Sequence, residues 1–83
     1  MNKEELISEL TRLNISEKFY SIESKPKEYA YNLERLDVNK YSVYYLERGE
    51  KSLHEIFNNY DEAGNRLLSM IKRNLEDGLD LSK

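Results

Sequence analysis

The sequence has no cysteine, no tryptophan, one proline, one histidine and only three glycines in 83 residues. Without cysteine, neither a disulfide nor a thiolate metal site can supplement the core, which fits a reducing cytosol. The glycines, at 49, 64 and 78, are too scattered to build a phosphate-cradling loop. No run approaches the roughly 20 apolar residues that span a bilayer. The start Met1-Asn2-Lys3-Glu4-Glu5 is acidic, unlike the basic opening of a secretory leader. A cytoplasmic chain with no membrane partner is the expectation. An excess of positive charge is missing too: the formal net charge is −3. That speaks against a nucleic-acid partner, which a basic face would announce, although Lys25, Lys27 and Lys40 all fall in expected turns and leave room for a local basic patch.

What is abundant is charge, at 35% of residues, and tyrosine, with seven against two phenylalanines. Tyrosine suits half-buried positions, with its ring turned inward and its hydroxyl reaching water. The length gives one domain over residues 1–83, which buries only roughly 60–65% of its unfolded surface. So thin a core leaves little spare stability for a deep pocket holding buried catalytic charges.

The expected architecture is α+β: an N-terminal helix, a four-stranded antiparallel meander and a C-terminal helix, with both helices on one face of the sheet. Asn2 and Glu5 form a capping box, and Leu6, Ile7, Leu10 and Leu13 recur at helical spacing behind them. Asn14 suits a left-handed stop, with Ile15 folding back on the last turn. Residues 19–23 read as a short strand and 24–27 as a turn that contains Pro26. Residues 28–35 form a second strand, with Tyr29, Tyr31 and Leu33 on one side. A connection at 36–40 leads to the strongest strand, 41–48, which Gly49 ends; residues 52–57 return as a fourth. Asn59 and Glu62 open the last helix, whose apolar face is Ala63, Leu67, Met70, Ile71 and Leu75. Gly64 within it is expected to allow close contact with the sheet, Gly78 to stop it, and residues 79–83 to fray.

Few constellations for chemistry are present. His54 could meet Glu55 or Glu50 at a metal, but their spacing matches no ligand pattern, and an outward-facing strand histidine is the plainer reading. The carboxylate pairs Glu4/Glu5, Glu47/Glu50 and Asp61/Glu62 sit at caps, turns and exposed helix faces. General acid–base work needs one carboxylate of a pair desolvated, and such positions stay solvated. No catalytic residue, metal or cofactor is expected, and the chain reads as a non-enzyme. In the third strand Val43 has no polar atom for water, so Tyr41, Val43 and Tyr45 are assigned to the core and Tyr44 and Leu46 to the open face.

The stretch Tyr41-Ser42-Val43-Tyr44-Tyr45-Leu46-Glu47-Arg48-Gly49, followed by Lys51, Phe57 and Asp61-Glu62-Ala63, carries a resemblance. It is similar to small bacterial immunity-type proteins associated with polymorphic or contact-dependent toxins, which share an aromatic-x-Val-Tyr-Tyr-x-Glu-Arg-Gly strand. The match covers roughly the C-terminal half. Tyr20-Ser21-Ile22 agrees more loosely, and Tyr41 and Gly64 depart from the pattern's commoner tryptophan and small residue such as cysteine. The resemblance implies a non-catalytic protein that neutralises a cognate toxin domain, a nuclease for example, by covering its active site. Candidate partner-binding residues, taken from the expected open face, are Tyr44, Leu46, Arg48, Glu34 and Glu50. The alternative is a small structural or regulatory module that forms a homodimer through an exposed strand edge. A small-molecule or nucleic-acid binder would need a concave pocket or a basic patch.

Overall fold

The computed structural model describes residues 1–78; the expected fraying of residues 79–83 lies outside the described residues. Helix α1 spans Lys3–Arg12, and the Asn2 side chain accepts the Glu5 amide at 2.9 Å. It ends as expected. Asn14 adopts φ 61°, the Ile15 amide donates to the Leu10 carbonyl at 3.0 Å, and Ile15 is fully buried. This is a Schellman closure in which asparagine takes the position glycine usually fills.

After a single 3-10 turn at Glu17–Phe19 come β1 (Tyr20–Ile22), β2 (Ala30–Asp37), β3 (Lys40–Glu47) and β4 (Glu50–Phe57). Helix α2 then runs over Tyr60–Glu76, capped by the Asn59 side chain, which accepts the Glu62 amide at 2.8 Å. Neither helix among the described residues is long and apolar enough to cross a membrane.

The sheet order is β1-β2-β3-β4, but the sheet is mixed rather than a purely antiparallel meander. Strands β2–β3 and β3–β4 pair antiparallel, whereas β1 lies parallel to β2, with Tyr20 opposite Tyr31 and Ile22 opposite Leu33. The expectation of a hairpin failed at the turn 24–27. Parallel neighbours usually need a crossover of a dozen or more residues. Here β1 is so short that the loop 23–29 can double back over the sheet. Glu23 and Tyr29 at its two ends adopt positive φ, 50° and 57°. Tyr29 is therefore no strand residue; it is half exposed.

The core joins Leu6 and Leu10 of α1 and Leu67 and Ile71 of α2 to Tyr20, Ile22, Tyr31, Leu33 and Val43 of the sheet. Tyr41, Tyr45, Phe57 and Leu75 pack against it from the margins. Strand alternation thus puts Tyr41, Val43 and Tyr45 on the helix side, as the lone valine required. Gly64 does not serve contact with the sheet. A Cβ built there would lie 2.5 Å from the Met1 sulfur and 3.8 Å from a Leu6 methyl, so the glycine makes room for the start of the chain and for α1.

Candidate interaction face

The second face of the sheet carries the side chains that alternate with the core set. Register defines three rows across it: Glu34–Ser42–Ile56, then Asn32–Tyr44, then Ala30–Leu46–Lys51. Neither described helix covers these rows, but they are not uniformly open.

Over β1 and β2 the loop 23–29 closes the face. The buried Asn32 side chain accepts the Lys27 amide at 2.9 Å and donates to the carbonyls of Lys27 at 3.2 Å and Ala30 at 3.0 Å. Ser21, also buried, donates to the Lys25 carbonyl at 2.8 Å. An asparagine can mimic a neighbouring backbone because its amide offers one acceptor and two donor hydrogens. That is how a loop without secondary structure of its own is held on a sheet.

Over β3 and β4 the covering consists of side chains alone. Tyr44 lies on this side, as alternation required, yet it is fully buried, so it cannot be the exposed anchor expected of it. Its hydroxyl donates to the Glu34 carboxylate. Lys51 sets its ammonium 4.6 Å from the ring centroid, a cation–π contact, and the His54 ring meets the Tyr44 ring edge-on at 5.7 Å. Desolvation, then the hydrogen bond to Glu34, pushes the Tyr44 phenol well above its ordinary range. The group is therefore a neutral donor at any physiological pH. Next to it Ser42 is buried, and its hydroxyl has no hydrogen-bond partner among the described residues.

Of the other expected binding residues, Glu34 and Leu46 share this face, each half-buried. Arg48 and Glu50 do not. Arg48 and Gly49, at φ 51° and 77°, form a two-residue type I′ connection between β3 and β4. Glu50 pairs with Glu47 across it, on the side that alternation assigns to the helices. Both carboxylate oxygens of Glu28 accept from the Gly49 amide, at 3.1 and 3.2 Å, and tie this hairpin to the loop 23–29.

Three residues of the face escaped the sequence reading: Lys51, His54 as a packing group, and Ile56, which is 51% exposed. For His54 and Ile56 the cause is a bulge. Between Val43↔Glu55 and Tyr45↔Ser52 strand β4 carries one extra residue, and Leu53 there adopts φ 55°. The insertion reverses the phase of β4. Ser52 and Glu55 fall on the helix side, where Glu55 pairs with Arg66 of α2 at 3.1 Å, while Lys51 and Ile56 fall on the other. Nothing in the composition of this segment signals a left-handed leucine. The bulge also breaks the free edge of β4 into two short runs, which is how natural sheets blunt an edge against strand addition. The expected edge-to-edge homodimer thus meets an interrupted edge.

Among the described residues no group of three or more His, Cys, Asp or Glu is placed to hold a metal ion. A hollow at the hairpin is lined by Glu47, Arg48, Glu50, Lys51 and Ser52, acids and bases together with no apolar floor. Such an arrangement can make surface contacts; it offers no desolvated acid–base pair. No protein-family model, no curated protein and no solved structure matches the chain.

Proposed function

We propose that the chain is a non-catalytic protein-binding domain of the immunity type, which neutralises a toxin domain by covering its active site. The observation that carries this reading is the β3–β4 half of the second sheet face. Ile56 is half exposed there, Leu46 is half-buried, and Glu34, Lys51 and His54 share the face with them. Exposed apolar surface beside ordered polar side chains is what a protein interface uses. The polar side chains are pre-ordered, because Glu34, Lys51 and His54 are all held against the buried Tyr44. Pre-ordering lowers the entropic cost of association. The strand motif around Tyr41–Gly49 supports the same reading by resemblance, but its most distinctive tyrosine acts under the surface. Tyr44 shapes the site, and its neighbours make the contacts.

The test is co-expression with the product of the gene immediately upstream, followed by purification of the complex. Ile56→Arg and Leu46→Glu are expected to abolish the complex, and Arg48→Glu to leave it largely intact. Growth arrest that persists despite co-expression would reject the reading. So would a complex that tolerates both face substitutions.

A further inference from the structure

On the same face, Glu34 and Lys51 carry opposite charges at the two ends of one tyrosine. Glu34 holds the Tyr44 hydroxyl from β2, and Lys51 lies over its ring from β4. In the register they occupy opposite corners: Glu34 in the Ser42 row, Lys51 in the Leu46 row. The other two corners are Ile56 and Ala30.

This pattern is self-complementary. A twofold axis lying in the face, along the diagonal from Ala30 past Tyr44 to Ile56, carries Glu34 of one copy over Lys51 of a second copy, and the reverse. Ile56 lies near the axis and meets its own counterpart, so the exposed apolar side chain is buried twice by one operation. Self-complementarity of this kind is what an isologous interface requires. The strands of the two sheets then cross steeply, which is the orthogonal mode of sheet packing. The loop 23–29, anchored on Asn32 beside the Ala30 corner, raises that corner and concentrates contact at Ile56.

We infer that a second copy of this chain docks on the β3–β4 face through two reciprocal Glu34–Lys51 pairs around Ile56. The inference rests on register and charge and not on the identity of any other partner. It has a consequence for the function proposed above: the free chain masks its own docking face, and a partner must displace the second copy.

Sedimentation equilibrium of the purified full chain over a wide concentration series tests it. A reversible monomer–dimer equilibrium is expected. Lys51→Glu, and separately Glu34→Lys, should weaken it at least about tenfold by setting like charges opposite each other. The double reversal should return the constant toward that of the unchanged chain, because the pairs re-form with their signs exchanged. Ile56→Asp should leave only monomer. Lys51 and Ile56 are exposed, so those variants stay folded even if Glu34→Lys disturbs Tyr44. A chain that is monomeric throughout would overturn the inference, as would a double reversal no closer to the unchanged chain than either single variant. A monomeric result leaves the partner proposal standing, and a missing partner complex leaves the dimer standing.

Discussion

Tyr44 is gripped from three directions, and its substitutions should separate packing from polarity. Tyr44→Ala removes a fully buried ring and is expected to cost about 3–5 kcal/mol in urea unfolding. Tyr44→Phe keeps the ring and loses the hydrogen bond to the Glu34 carboxylate, at about 1–3 kcal/mol. A Tyr44→Phe cost as large as that of Tyr44→Ala would mean that the hydroxyl, and not the ring, holds the face together. Tyr60 is the other strongly displaced phenol. Burial, then Glu23 and Tyr41, pushes it upward, and its hydroxyl has no partner among the described residues. Both folded-state pKa values lie above the unfolded value of about 10. The neutral phenols thus stabilise the fold fully below that pH, and the contribution disappears as pH rises through the folded values. Absorbance at alkaline pH should show these two tyrosines ionising last, with unfolding and not before it. Early ionisation of all seven would contradict the burial.

At the scale of elements, the helices were legible because their signals are local. Asn2, Asn14 and Asn59 act within a turn of their own position, and each does what its side chain suggests. The sheet was legible only in part. The helix-side set of Tyr41, Val43 and Tyr45 follows from alternation, but the parallel pairing of β1 depends on Asn32 capturing a loop five residues upstream. The phase of β4 depends on a left-handed Leu53. Neither contact leaves a trace in periodicity. Ser24–Lys27 carried turn residues and turned differently, since turn chemistry fixes a bend and not the partner of the strand beyond it. Two substitutions probe these points. Asn32→Ala should cost about 1–3 kcal/mol and speed amide exchange over residues 24–29, while α1 and α2 stay protected. Leu53 is 58% exposed, so Leu53→Gly should relieve left-handed strain and stabilise by up to about 1 kcal/mol in thermal unfolding. A marked loss of stability would show that the leucine side chain, and not the bulge, matters there.

For the whole molecule, the two faces of one sheet divide the work. One is sealed by two helices and supplies the core; the other is half sealed by a loop and half finished with charged side chains resting on a tyrosine. The sequence assigned five residues to one open face, and the structure keeps Glu34 and Leu46 of them there. Arg48 and Glu50 belong to the hairpin, Tyr44 to the interior, and Ile56 and Lys51 are exposed on the face. The exposed Ile56 has a physical source of its own, because the bulge decides which residues of β4 beyond Ser52 face out. Ile56→Arg is therefore the most direct probe: a surface change that should alter stability by no more than about 0.5 kcal/mol. Binding of the purified chain and of its Ile56→Arg variant to the upstream gene product, by titration calorimetry, tests whether this face makes the contact. A stoichiometric complex is expected for the unchanged chain and none for the folded variant. Equal affinity of the two would contradict it.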